Sequence, residues 1–338
     1  MRGAAVLFVL LCAVACPSSR GASAVHAHIN APAWSPDGKS IAWTEGVGAE
    51  SRIWTAAPDM THARPVSPPI DALGQIAWLP RHRLLYWANF RLFLLVPGGR
   101  STLLRGVAGD GFSLNRSGTR VATGDTPCST GCYGPALIFD LNGRDTYRVG
   151  GAKAQNVSPT LSPDGSRVAF ERTLCASTGR CESPAGIWTA AIRTGKLRRL
   201  VSGIAGCPTW SPSGRSIAYV DLANVADEAL RVLPSGGGTT TVLMHGVGCN
   251  LSFPPQWSPD SRSIAAAEQR SGRLLVADVK TQRSGAVTGV KIGVVIGFAW
   301  SPDSSQLLVA AQSAGQAVCS SLWRVNAKTG AARLLRGC

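Results

Sequence analysis

Long apolar runs are almost missing from this 338-residue chain. The one unbroken stretch, Ala4 to Ala15, is too short for a membrane-spanning helix, which needs about 20 residues. No second run of that length follows, so the mature chain is expected to lack a transmembrane segment. Arg2 is the only charge before Arg20, and a charged start followed by an apolar stretch reads as a secretory signal. Histidine is scarce, at five residues. There is no G-x-S-x-G elbow, no H-E-x-x-H pair and no EF-hand loop, so none of those three chemistries is indicated. Gly38-Lys39-Ser40 is like the end of a phosphate-binding loop, but Ala33 stands where the first glycine is required. No Lys/Arg block is longer than Arg198-Arg199, and nucleic-acid motifs are absent, so no nucleic-acid partner is expected.

What is present points outside the cytoplasm of a bacterium. Two processing sites compete. Ala13-Val14-Ala15-Cys16 resembles a lipoprotein box, with Ala13 where Leu is usual. Cleavage there makes 1–15 the signal and lipidates Cys16, the one route to a membrane. Ala22-Ser23-Ala24 is a small-x-small site, which makes 1–24 the signal and 25–338 the mature chain. Ten cysteines fit export. After Cys12 and Cys16, eight remain: Cys128, Cys132, Cys175, Cys181, Cys207, Cys249, Cys319 and Cys338. An even set in an exported chain suggests four disulfides. Cys128 and Cys132 have half the spacing of a zinc site, but no matching second pair follows, and no metal is expected. The 34 Lys and Arg against 19 Asp and Glu give a formal net charge of +15, which suits a soluble basic surface and admits an anionic envelope polymer as partner.

One phrase recurs. Trp34-Ser-Pro-Asp-Gly38 is followed by Ile41-Ala42-Trp43, and the pattern returns at Leu161, Trp210, Trp257 and Trp300. Degenerate copies sit at Trp78-Leu-Pro-Arg-His82 and Leu114-Asn-Arg-Ser-Gly118. Repeats of roughly 40–50 residues with short apolar segments and such turns imply one four-stranded propeller blade each. The expectation is an all-β propeller of seven blades, with six as the alternative. In Ser-Pro-Asp-Gly, Pro presets one turn position and Gly takes the left-handed one. Ser261 and Ser304 stand in that Gly position in the last two copies. In blade 7 the segments are expected to be Gln306–Ala311, Ser320–Asn326 and Ala331–Arg336. In blade 4, the third and fourth are expected at Gly186–Ala190 and Lys196–Val201. The anchor tryptophans are expected to pack in the core.

The repeat P-x-W-S-P-D-G-x-x-I-A resembles the TolB-type, WD-repeat-like propeller repeat of exported bacterial proteins. Pro32-Ala-Trp34, Pro208-Thr-Trp210 and Pro255-Gln-Trp257 carry it, and the resemblance runs from about residue 28 to 338. It implies the fold and says little about activity. The family's namesake has six blades and an added α/β domain, for which this chain has no room, so a role in the Tol system is not expected. Some such propellers are polysaccharide lyases that hold a metal with several histidines. Here His26 and His28 lie near the processing region, and His62 and His82 fall on the opposite rim from His245. Asp37, Asp164, Asp260 and Asp303 recur at one turn position and are expected to be turn formers.

Chain direction places all eight cysteines on one rim, where each second strand joins the third and each fourth joins the next blade. The expected bridges are Cys128–Cys132, Cys175–Cys181, Cys207–Cys249 and Cys319–Cys338. The last follows from hairpin register about Lys328-Thr329. Binding loops sit on rigid scaffolds, so the polar loop residues Asp110, Asn156, His245 and Asn250 are the candidate binding residues. No catalytic residue is assigned. The expected function is a monomeric, non-catalytic binding or scaffolding module for a protein or an anionic envelope polymer, working without a cofactor. The alternative is a glycan-active hydrolase or lyase assembled from rim loops.

Overall fold

Where the repeat carries Ser-Pro-Asp, its turn closes through its own side chains. The computed structural model describes residues 28–337 except 48–49, 107–108, 110, 125–133, 143–145, 152–153, 175–185, 251–252, 288–291 and 313–318. Both processing sites and Cys16 lie outside the described residues, as do Cys128, Cys132, Cys175, Cys181 and Cys338. In the first turn, the Ser35 hydroxyl donates to Asp37 Oδ1 at 2.6 Å and accepts the Ser40 N–H at 2.9 Å. Asp37 accepts the Lys39 N–H at 3.1 Å, and Gly38 closes the turn at φ +70°. Ser162–Asp164, Ser258–Asp260 and Ser301–Asp303 repeat the serine-to-aspartate bond at 2.5 Å. These hydroxyls, with the turn N–H groups, hold the carboxyls of Asp37, Asp164 and Asp303 below the usual range. All four aspartates serve as turn formers. Ser261 and Ser304 adopt the glycine conformation, at φ +64° and +63°, which costs a residue with a Cβ roughly 1–2 kcal/mol.

The turns organise seven antiparallel sheets whose strands follow chain order, a seven-bladed β-propeller. Blade 4 comprises Ala154–Leu161, Arg167–Leu174, Ile187–Ala191 and Leu197–Arg199. Blade 5 comprises Ala205–Trp210, Ser216–Asp221, Ala229–Pro234 and Thr241–His245. Blade 7 comprises Val294–Trp300, Gln306–Gln312, Ser320–Asn326 and Ala332–Arg336, within a residue of the sequence expectation. Blade 3 is four-stranded despite its short spacing. Blade 1 differs at its outer edge, where Arg64–Pro65 and Ile70–Asp71 both pair with Glu50–Ala56. Among the described residues there is no α-helix, and no helix is long and apolar enough to cross a membrane.

The Pro-x-Trp part of the repeat has its own physical basis. In blades 1, 4 and 5 the innermost strand shifts register just before the anchor. Ala31, Ser158 and Cys207 take φ of 45°, 50° and 50° at these bulges, and each is followed by proline. A bulge leaves one residue out of the ladder, so the missing proline N–H costs nothing there. This corrects one expectation: Cys207 lies inside the first strand of blade 5, not in the loop before it.

The core is a set of layers between blades. One layer combines Ala265 and Leu274 of blade 6 with Phe298, Trp300 and Leu307 of blade 7. Burying a side chain of this size is worth about 1.5–3 kcal/mol. The anchors also bond across layers. Trp210 Nε1 donates to Thr160 O, Trp257 Nε1 to Thr209 O, and Trp300 Nε1 to Gln256 O, each at 3.1 Å. Thus the later tryptophans tie each first strand to its predecessor, while Trp34 and Trp78 keep buried indole N–H groups without a partner among the described residues.

The ring closes between blades 7 and 1 without strand exchange among the described residues. Ile29 N–H donates to Ser320 Oγ at 2.5 Å, and that hydroxyl donates to Ile29 O at 2.9 Å. Arg336 grips Glu45 through Nε at 2.6 Å and Nη2 at 2.7 Å, and its guanidinium lies 4.5 Å from the Trp54 ring centroid. The last hairpin keeps the expected register from Val325–Ala332 to Trp323–Leu334, then shifts by one at Leu322–Arg336. Cys319 is disulfide-bonded.

Candidate functional site

The loop rim, where second strands pass to third strands and fourth strands pass to the next blade, carries a cleft of about 580 Å³ on blades 4 to 7. Its apolar lining includes Leu222, Phe253 and Val295, and its polar lining includes Glu171, Glu228, Asn250, Glu268 and Gln269. Concave, mostly apolar surfaces with a few convergent polar groups are the usual form of a ligand site.

Glu171 enters the cleft from the second strand of blade 4. Ala169, two residues earlier on the same face, packs against Ala205 and Trp210 of blade 5. Alternation therefore turns Glu171 toward blade 5. There it meets Gly206: a Cβ on that glycine would lie 2.9 Å from Glu171 Oε2, 3.1 Å from Cys249 Sγ and 3.2 Å from Leu222 Cδ1. Gly206 thus leaves the room that the carboxylate and the disulfide occupy. Burial pushes the Glu171 carboxyl up to about 7, and no cation is paired with it among the described residues. Glu228 is also raised by burial. Glu268 is better compensated, accepting from the Ser271 hydroxyl and lying 3.4 Å from Arg273 Nη2.

The Cys207–Cys249 disulfide braces this site. It joins the first strand of blade 5 to the loop entering blade 6, with a Cα–Cα distance of 5.6 Å. Cys249 and its neighbours Gly248 and Asn250 line the cleft, so the bridge fixes one wall.

The four candidate residues fare differently. Asn250 is exposed and lines the cleft. His245 is exposed at the end of a strand, its Nδ1 2.9 Å from Asp227 Oδ2, and does not line it. Asp110 lies outside the described residues. Asn156 is corrected from loop to strand: it is 2% exposed, donates to Gly134 O at 2.7 Å and accepts from Arg172 Nη1 at 2.8 Å. The bulge at Ser158 lets the first strand of blade 4 run on to Ala154, which draws Asn156 inside.

Glu171 was not foreseen, although a signal existed. Glu171 and Arg172 are adjacent charges in one strand, and neighbours in a strand face opposite sides. In a propeller both sides are covered, so both charges are drawn inward. Arg172 is satisfied by Asn156 and Gly150 O and lies over the Trp188 ring.

Among the described residues, no three of His, Cys, Asp or Glu come together as metal ligands. His62 and His82 sit on the turn rim and His28 and His245 on the loop rim, so the described histidines do not form a shared metal site.

No family model and no curated protein matches the chain. Solved structures do. An oligogalacturonate lyase in complex with manganese is 13% identical over 89% of this chain and 90% of its own, with a TM-score of 0.69. The β-propeller domain of the Trilobed protease from Pyrococcus furiosus, described as having an open velcro topology, is 10% identical over 92% and 98%, with a TM-score of 0.66. TolB from Acinetobacter baumannii is 17% identical over 76% of this chain and 62% of its own, with a TM-score of 0.52. At these identities the likeness is one of fold.

Proposed function

We propose that the chain is an exported, non-catalytic binding propeller whose loop-rim cleft receives a segment of a protein partner. The observation that carries this reading is the cleft itself: apolar lining, Glu171 and Glu228 both raised by burial and without a paired cation among the described residues, and one wall held by a disulfide. Carboxylates in an apolar setting favour a cation over an anion, because desolvated like charges repel. The partner segment is one that presents a lysine or arginine beside an apolar residue. Exposed Leu174, Ile204, Val225 and Val294 add apolar surface to the same rim, and Val294 lines the cleft. An extracytoplasmic location, whether by free secretion or through lipidated Cys16, accords with the disulfides and with the likeness to TolB.

A peptide-display selection on the oxidised protein tests this. The expected result is enrichment of basic-apolar segments whose binding is lost in Glu228→Gln with Glu171→Gln. Enrichment indifferent to those changes, or none, overturns the reading.

A second reading is favoured by Glu171 alone. A carboxyl that keeps its proton near neutral pH is suited to general acid catalysis, as a glycan-active hydrolase or lyase requires. Consumption of a glycan by the pure protein, abolished by Glu171→Gln, is the result that establishes it in place of binding.

A further inference from the structure

The turn rim departs from its aspartate pattern in blades 2, 3 and 5, and in the adjacent blades 2 and 3 an arginine enters the turn. In blades 1, 4, 6 and 7 the third turn position holds an aspartate, engaged by the serine of the same turn. Blade 2 places Arg81 there, at φ +62°. Blade 3 places Ser117 there, with Arg116 in the usual proline position and Asn115 in the serine position. Asn115 does the turn's structural work without an acid: its Oδ1 accepts the N–H groups of Thr119 and Arg120 at 2.9 Å each. The aspartate is therefore absent from the adjacent blades 2 and 3, whose turns carry Arg81 and Arg116; blade 5 also lacks it, with Ser213 in that position, but has no arginine among its four turn residues.

These two turns flank a polar cleft of about 640 Å³. Arg81, Arg83, Asn115, Ser117 and Thr119 line it, with the Arg120–Asp140 pair at its wall. That pair is closed on itself, with Nε to Oδ1 at 2.7 Å, and Arg120 also donates to Gly165 O at 2.8 Å. Asp164, the remaining acid of the lining, is held by the hydroxyls of Ser162 and Ser166. Arg81, Arg83 and the neighbouring Arg116 have no carboxylate partner among the described residues; Arg83 donates only to Pro80 O, at 3.3 Å. The hydroxyls of Ser117 and Thr119 lie 2.8 Å apart at the surface, able to donate or accept. Gly118 is required for the approach of the turns, since a Cβ there would lie 2.9 Å from Pro80 Cδ.

We infer that this cleft on the turn rim, between blades 2 and 3, is a second binding site, and that it takes an anionic, hydroxyl-rich polymer of the acidic-glycan class. Unpaired guanidinium groups supply charge and directional donors for sulfate or carboxylate. The adjacent hydroxyl and amide groups match the donor-acceptor character of sugar hydroxyls. Among the described residues no aromatic ring lines the cleft, so these offer a nucleobase no stacking surface. Its donors come from the turns of two blades, Arg81 and Arg83 from blade 2 and Asn115, Ser117 and Thr119 from blade 3, which suits an extended polymer better than a lone ion. The inference is independent of the loop-rim cleft, which lies on the other face.

The test is binding of dextran sulfate to the mature oxidised protein, with neutral dextran and inorganic sulfate as competitors. The comparison is between Arg81→Ala with Arg83→Ala and a control that removes equal charge from blade 6 on the same rim, Arg262→Ala with Arg283→Ala. The expected result is saturable binding, weakened at least tenfold in the first pair and less than twofold in the second, with neutral dextran failing to compete. Competition by inorganic sulfate at equal charge concentration assigns the site to a small oxyanion and overturns the polymer assignment. Equal loss in both pairs, or no binding, overturns the site, since a chain of net charge +15 attracts polyanions without one. Loss of peptide binding in Glu228→Gln leaves this result unaffected, so the two sites fail separately.

Discussion

Glu171→Gln removes the one carboxyl among the described residues that the fold holds far from its ordinary range. Burial raises its pKa from 4.5 to about 7. A raised carboxyl pKa means that the folded chain binds the proton more tightly than the unfolded one. The folded state is therefore favoured below about pH 4.5, loses stability as pH rises, and bears the full cost above about pH 7. At 1.36 kcal/mol per pH unit, ionised Glu171 costs up to ~3 kcal/mol. Glutamine has the same shape and never ionises, so the variant escapes that cost. With an unfolding entropy of about 2.1 cal/mol/K per residue, the difference corresponds to roughly 5 °C in Tm for a domain of this size. Thermal melts of both proteins at pH 4 and pH 8.5 check it, because all other titrating groups are common to the pair. The expected difference is near zero at pH 4 and a rise of about 5 °C for the variant at pH 8.5. An equal difference at both pH values, or a variant less stable at pH 8.5, refutes the account of a buried, uncompensated carboxylate.

Three further outcomes follow from the same structure. Arg336→Ala removes the two-pronged grip on Glu45 and the contact with Trp54 at the ring closure. It is expected to cost ~1–3 kcal/mol and to speed hydrogen exchange selectively in His28–Trp34, read by mass spectrometry. Replacing Cys207 and Cys249 by serine opens a loop of sequence separation 42, which in the chain-entropy model is worth ~4 kcal/mol and is checked by urea unfolding. Ser261→Gly and Ser304→Gly relieve two left-handed residues but remove the hydroxyls that accept the Ser213 and Asp260 N–H groups, at 2.9 and 3.1 Å, so the two effects offset and each is expected to shift stability by less than ~1 kcal/mol, read as the midpoint in urea.

Much of this architecture was readable because the repeat is written in local chemistry. Ser-Pro-Asp-Gly carries its own hydrogen bonds, so the turns, the blade count and the left-handed serines were legible from spacing alone. The segments of blade 7 were legible for the same reason, up to the one-residue shift at Leu322–Arg336, which no turn residue announces. The bulges were less visible. Ala31, Ser158 and Cys207 share only a following proline, and missing them placed Asn156 and Cys207 in loops when both are in strands. The cleft was hardest to see, because Glu171, Glu228 and Glu268 come from three blades and meet only when the ring closes. Asn250, named as a polar residue of a rim loop, lines the cleft; Glu171 was hidden by an apolar strand.

The most direct test of the loop-rim site is zero-length carbodiimide cross-linking of a display-selected basic peptide to the oxidised protein, mapped by mass spectrometry. The account predicts amide cross-links from the peptide lysine to Glu228, Glu268 or Glu171 on the loop rim. Cross-links confined to Asp37, Asp260 or Asp303 on the turn rim contradict it.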